Sequence, residues 1–181
     1  MVSHQVQAVL QLPKPGLVKT VGLISDTHVS VRAKKIPTKV FEVFQKVDFV
    51  VHAGDLVRLS VIDELERVAP VLAVYGNMDG AEVRGRLPKT NSLKVFNWKI
   101  GVTHNPGAFF GMRKMREIAG KNEFDVLVYG HTHSPKVRWE GNTLFINPGS
   151  PTNPLPPFIT KPTVALLRIT EEKVMPEIIQ L

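Results

Sequence analysis

The sequence predicts an α/β domain of the α+β kind, with mixed sheets and helices packed on their outer faces. Three observations carry this. Short runs rich in Val, Ile and Leu recur, and each stops at a polar residue or a glycine, as strands buried in parallel sheets do. Amphipathic helical patterns alternate with those runs. Later in the chain, paired strand patterns flank two-residue connections, which adds antiparallel pairing to the parallel kind.

In order along the chain, residues 1–19 read as an N-terminal extension, a short strand or helix and then a linker, because Pro13, Pro15 and Gly16 break any longer element. From Thr20 the pattern turns regular. The run 21–25 leads to Asp26, 49–53 to Gly54-Asp55, 71–75 to Gly76-Asn77, and 126–129 to Gly130-His131. Helices are expected at 37–46, with Val40, Phe41, Phe44 and Val47 on one face, and at 60–69, where Ser60 caps a face of Ile62, Leu65 and Val68. A third presents Met112, Met115, Ile118 and Ala119, a core face at helical spacing. Hairpins are expected for 93–97 with 100–103 around Trp98-Lys99, for 137–139 with 143–147 around Gly141-Asn142, and for 163–169 with 174–179. Residues 151–162 form a proline-rich loop.

Bulk properties bound the function. A chain of 181 residues is one domain spanning 1–181, with a full core and no room for a second of similar size. Cysteine is absent, which excludes disulfides, thiolate ligands and a catalytic thiol, so any metal takes oxygen and imidazole. Residues 2–12 lack a basic n-region and are interrupted by Ser3, His4, Gln5 and Gln7, so they do not read as a signal peptide. No apolar stretch approaches bilayer length, and the expectation is a soluble cytoplasmic protein with no membrane partner. The formal charge of +7 favours anionic partners, of which phosphate-bearing ligands are the commonest.

Chemistry gathers at the strand ends. Asp26-Thr27-His28 and His131-Thr132-His133 place donors on alternate residues, which leave a strand on one side and converge. In an open α/β sheet, groups at the carboxyl ends of strands meet in one crevice. Collecting those ends gives Asp26, His28, Asp55, Asn77, His104, His131 and His133, and four of the six histidines fall at these points. No single divalent ion needs seven protein ligands of this kind, whereas two ions sharing a carboxylate do. Gly54, Gly76 and Gly130 suit tight turns beside the ligands.

Asp26-Thr27-His28, Gly54-Asp55, Gly76-Asn77, His104 and Gly130-His131-Thr132-His133 resemble, in order and spacing, the motifs of the calcineurin-like metallophosphoesterases. With Asn147-Pro148-Gly149-Ser150, the chain is similar from about Thr20 onward to the small bacterial and archaeal phosphodiesterases of the YfcE type. The resemblance implies a four-layer α-β-β-α sandwich with two mixed sheets and the metals at one edge. It implies that Asp26, His28 and His133 hold one ion, that Asn77, His104 and His131 hold the other, and that Asp55 bridges them. Manganese is favoured over nickel, zinc and iron, all of which suit such donors.

Two cations roughly 3.5 to 4 Å apart lower the pKa of a shared water and clamp phosphoryl oxygens, so in-line attack at phosphorus follows. Asp55, Asn77 and His131 are the expected catalytic residues, the last two stabilising charge on those oxygens. Many relatives carry His where this chain has Met78, and a thioether donates no proton. Asp79 would then either support a metal ligand or bind a short helix N-terminus. Weak leaving-group protonation favours diesters or activated leaving groups. Asn105 replaces a glycine usual after His104, His52 reads as a hydrogen-bonded core histidine, and His4 as exposed. Arg32, Lys34 and Lys35, and separately Arg113, Lys114 and Arg116, are two basic groups that either rim the cleft or solvate the surface.

The leading function is thus a metal-dependent phosphodiesterase, a hydrolase of a small phosphoester. One alternative is a non-catalytic scaffold resembling the metallophosphoesterase-like subunit of retromer, although every expected ligand is present. A nuclease is the other, and nucleic acid is not favoured because stacking aromatics are sparse, with two Trp and two Tyr. Relatives often form dimers, so the resemblance also implies a homodimer.

Overall fold

Alternation along the strands sorts the apolar residues onto two faces, and that sorting builds the layers. The computed structural model describes residues 17–107, 112–152 and 161–181; His4, the rest of 1–16, and 153–160 of the expected proline-rich loop lie outside them. In chain order the elements are β1 (Lys19–Ile24), α1 (Thr38–Phe44), β2 (Phe49–His52), α2 (Ser60–Glu66), β3 (Val71–Ala73), α3 (Ala81–Arg86), β4 (Thr90–Val95), β5 (Trp98–Thr103), α4 (Met112–Asn122), β6 (Val126–Val128), β7 (Lys136–Glu140), β8 (Thr143–Asn147), β9 (Thr163–Ile169) and β10 (Val174–Gln180). Lys19, expected in the extension, already belongs to β1.

Two five-stranded mixed sheets result, in the orders β10-β9-β1-β2-β3 and β4-β5-β6-β8-β7. In the first, β1, β2 and β3 run parallel, and β9 pairs antiparallel with β1. In the second, β5, β6 and β8 run parallel, with β4 and β7 antiparallel outside them. Val21 and Leu23 face Val102, Val128 and Ile146 across the space between the sheets. On the outer face of the first sheet, Ile24 and Val50 meet Val40 and Phe44 of α1 and Leu65 of α2. Met115 and Ala119 of α4 cover Leu127 and Phe145 of the second. Helix, sheet, sheet and helix therefore form four layers, each seam sealed by fully buried side chains worth about 1.5–3 kcal/mol apiece.

Three local expectations are corrected. The β4–β5 turn is Phe96-Asn97 and not Trp98-Lys99, since Val95 pairs with Trp98. Trp98 is held in the strand by its indole N–H, which donates to the Thr170 carbonyl at 2.8 Å, and Phe96 takes the left-handed backbone at φ 54°. Ser60 makes no side-chain cap, because Leu59 stands at the cap position in helical conformation, and Val61, not Ile62, is the residue buried beside Leu65. The short helix α3 carries one buried apolar residue, Val83, which leaves no periodic face to read. Among the described residues no helix is long and apolar enough to cross a membrane.

Candidate metal centre

Every parallel strand of both sheets ends at the same edge, and the residues that follow make the site. Asp26 and His28 follow β1, Asp55 follows β2, Asn77 follows β3, His104 follows β5, and His131 and His133 follow β6. Bonds across the seam fix the two sets of loops together. The Gly130 N–H donates to the His104 carbonyl at 3.0 Å, and the His131 N–H donates to Asp26 Oδ2 at 3.0 Å. The Ser25 hydroxyl donates to Asp26 Oδ2 at 2.7 Å and the Ser150 hydroxyl to the Asp26 carbonyl at 2.8 Å.

All seven expected ligands converge. Asp26 Oδ1 lies 3.2 Å from His133 Nε2 and 3.9 Å from His28 Nε2, and the two imidazole nitrogens are 3.2 Å apart. Asp55 Oδ2 lies 3.3 Å from His104 Nε2 and 3.8 Å from His28 Nε2. Asn77 Oδ1 lies 2.9 Å from His104 Nε2 and 2.8 Å from His131 Nδ1. Asp26, His28, Asp55, His104 and His133 are buried, whereas Asn77 is exposed and His131 half-buried, so the cluster opens on that side.

The donors fit divalent cations. Ligands about 2.1 Å from an ion at tetrahedral or octahedral angles stand about 3.0–3.4 Å apart, the range of the closer separations here. His104 makes the point chemically. Its Nδ1 sits 2.8 Å from the Ala53 carbonyl, which only accepts, so Nδ1 carries the proton and the Nε2 lone pair of a neutral ring faces the Asp55 carboxylate. Two lone pairs at that distance require a positive species between them. In the metal-free site a proton serves: burial opposes it, but the hydrogen bond to Asp55 and the charge of Asp26 raise the His104 pKa. Burial likewise works to raise Asp55, yet the His104 contact and charge and the Met78 N–H lower it overall. Burial pushes His28 down against the pull of Asp55 and Asp26. His131 is lowered by burial and by the charge of His104. His28 Nδ1 is buried without a hydrogen-bond partner.

The backbone is unusual where it carries ligands. Asp26, His28, Asp55, His131 and His133 all have φ between 42° and 71°, a region L residues avoid, and Gly54 between the β2 end and Asp55 has φ 89°. Gly76 answers a different need: a Cβ there would collide with Asp55 Oδ1 and lie 2.6 Å from the Asp55 nitrogen.

Residues around the expected ligands explain how the turns are held; the sequence singles each of them out, but not their partners. Asp79 accepts the N–H groups of Asp55 at 3.0 Å, Val57 at 2.6 Å and Gly76 at 2.7 Å, so of its two expected roles it takes the support of a ligand turn. His52 is buried and hydrogen-bonded: the Gly54 N–H donates to Nδ1 at 3.2 Å, which leaves Nε2–H for the Thr27 hydroxyl at 3.1 Å. Burial lowers its pKa to about 4. The Asn147 amide donates to the Gly130 carbonyl and the Thr132 hydroxyl, giving a physical role to the residues 147–150. Asn105 needs no glycine, since its Oδ1 accepts the Gly107 N–H at 2.9 Å and Gly107 takes the positive φ. Their signal in sequence was proximity to a ligand; some partners are local, as Gly107 is to Asn105, and others distant in the chain, as Thr27 is to His52.

Comparison with known proteins identifies the family. Residues 20–172 match the calcineurin-like phosphoesterase superfamily domain. The chain is 39% identical over 164 residues to a probable metallophosphoesterase of Methanothermobacter thermautotrophicus, covering 88% of this chain and 91% of that one. It is 33% identical over 171 residues to a phosphodiesterase of Methanocaldococcus jannaschii, covering 88% and 98%. Among solved structures, vacuolar protein sorting 29 of Cryptosporidium parvum superposes with a TM-score of 0.79 over 91% of this chain and 92% of that one, at 24% identity, and so shares the fold.

Proposed function

The chain belongs to the calcineurin-like phosphoesterase superfamily, and from that premise we propose that it is a dinuclear metal-dependent phosphodiesterase hydrolysing a small phosphoester by in-line attack of water at phosphorus. One observation carries the dinuclear reading: a single carboxylate oxygen, Asp55 Oδ2, stands between His28 Nε2 and His104 Nε2, at 3.8 and 3.3 Å. Asp26, His28 and His133 would hold one ion, and Asn77, His104 and His131 the other, with Asp55 shared. Divalent ions bound there, manganese favoured, supply a water of lowered pKa and neutralise charge on the phosphoryl oxygens.

The chain's own groups do the rest. Exposed Asn77 and half-buried His131 flank the open side, where their N–H groups meet phosphoryl oxygens as charge develops. Buried Asp26 and Asp55 keep their positions through backbone and hydroxyl donors, which pre-organises the site. Met78 is 44% exposed at the position where relatives present a proton donor, and the Asp79 carboxylate is taken up by three backbone N–H groups. Neither protonates a leaving oxygen, which favours diesters and activated leaving groups.

Metal-stripped protein reloaded with manganese, nickel or zinc is expected to hydrolyse bis(p-nitrophenyl) phosphate, and Asp55→Ala to abolish the metal-dependent turnover. Turnover retained in that variant overturns the assignment. The fold shared with vacuolar protein sorting 29 supports a second reading, a non-catalytic scaffold. Metal uptake without turnover on nitrophenyl esters, cyclic nucleotides or short RNA favours the scaffold.

A further inference from the structure

Of the two basic groups in the sequence, the structure separates one from the other. On α4, Arg113 pairs with Glu117 at 3.1 Å and Arg116 with Glu140 at 2.8 Å, so two of that group's three cations are compensated and, among the described residues, Lys114 is not. Arg32, Lys34 and Lys35 are exposed, and Arg58 joins them from the loop after Asp55. Among the described residues none of these four has a carboxylate within ion-pair distance; the pairs between Lys or Arg and carboxylates engage Lys19, Lys39, Arg113, Arg116, Arg138 and Arg168.

Two of the four cations are also held by the loops that carry the expected ligands. The His28 carbonyl accepts the N–H groups of Val31 at 3.1 Å and Arg32 at 2.9 Å, folding the loop back on the ligand, and Ser30 at its tip has φ 79°. Arg58 ties the second loop to the first: its Nε–H donates to the Ser30 hydroxyl at 2.7 Å, which leaves the Nη fork for an anion. Residues 30–34 line a shallow, open depression of about 320 Å³.

We propose that Arg32, Lys34 and Arg58 form an anion subsite beside the metal centre that binds a second phosphoryl group of the substrate, one not attacked. The inference rests on the phosphodiesterase reading and narrows it: the preferred substrate is a small phosphodiester that carries an additional phosphate one sugar away. An uncompensated guanidinium pair on two loops bridged by a hydroxyl suits a dianionic phosphate, which accepts several hydrogen bonds at once. Plain diesters with a single charge leave the subsite unused.

Two matched substrates test this: thymidine 5′-(p-nitrophenyl phosphate) and the same ester carrying a 3′-phosphate. Manganese-loaded wild type is expected to prefer the 3′-phosphorylated ester by about tenfold in kcat/KM at low salt, mainly through KM, with the preference shrinking as salt rises. Arg32→Glu and Arg58→Glu should each bring the ratio of the two esters towards one. Calorimetry gives a readout free of turnover: thymidine 3′,5′-bisphosphate should bind wild type more tightly than thymidine 5′-monophosphate, and Arg32→Glu should erase that difference. Hydrolysis of both esters at equal kcat/KM overturns the subsite and leaves the phosphodiesterase reading standing. No hydrolysis of either ester overturns the reading beneath it. A preference that survives both charge reversals also overturns the subsite.

Discussion

Asp55 and Asp79 hold each other's turns. The Asp79 carboxylate accepts the Asp55 N–H at 3.0 Å, while Asp55 Oδ1 accepts the N–H of Met78, the neighbour of Asp79, at 2.7 Å. The exchange locks the end of β2 to the end of β3, and one of the two carboxylates is the proposed shared metal ligand.

Asp79→Ala leaves three N–H groups without their acceptor, two of them on buried residues. At about 1–3 kcal/mol for each unsatisfied donor, partly recovered by water, the expected loss is about 3–5 kcal/mol. Urea unfolding of the metal-free protein measures it; a loss below about 1 kcal/mol contradicts the latch.

Gly76→Ala drives a methyl group into the Asp55 carboxylate. Overpacking of this kind costs about 1–3 kcal/mol and rotates the shared ligand. Manganese stoichiometry, by elemental analysis after gel filtration, is expected to fall from two ions towards one. Two tightly held ions in this variant would mean Asp55 is not the shared donor.

His52 sets an acid limit. Its pKa is about 4 in the fold against an ordinary 6.5, so the unfolded chain takes up the proton first as pH falls. The stabilisation from neutral His52 is present in full above about pH 6.5 and is lost as pH falls towards 4, a change of about 3 kcal/mol. Over that window, metal-free wild type should lose more stability than His52→Gln. Parallel stability curves for the two proteins would refute this.

Met78→His supplies an imidazole where the structure offers an exposed thioether. Turnover of an alkyl phosphomonoester is expected to rise by about 100-fold, the lower range for a positioned general acid, with little change for bis(p-nitrophenyl) phosphate, whose leaving group needs no proton. An unchanged ratio between the two substrates would mean that protonation does not limit the wild-type protein.

The proposed ligands were legible because they follow apolar runs: Asp26, Asp55 and His131 stand where a buried strand meets a polar residue, and convergence at one sheet edge then follows from parallel pairing. The turn at Gly141-Asn142 was legible for a local reason, since Gly141 adopts φ 55° there. Phe96 also takes φ 54°, but nothing in a phenylalanine signals a turn; what moves the hairpin register is a bond from Trp98 to a carbonyl at residue 170. Asp79 and His52 were ambiguous for the same reason. Their partners lie up to 25 residues away, and only the packed sheets bring them into reach.

The left-handed ligand turns imply a trade between endurance and chemistry. Five non-glycine residues sit in a conformation that costs such residues about 1 kcal/mol or more, and His28 adds a buried ring nitrogen with no partner. Replacing His28 or His133 with glycine would relax that conformation but would also empty a buried ring position and break the contacts of those imidazoles with each other and with Asp26, so the two effects oppose one another. The strain thus falls on residues whose side chains gather at the proposed metal centre, where a backbone built for endurance alone would carry glycine.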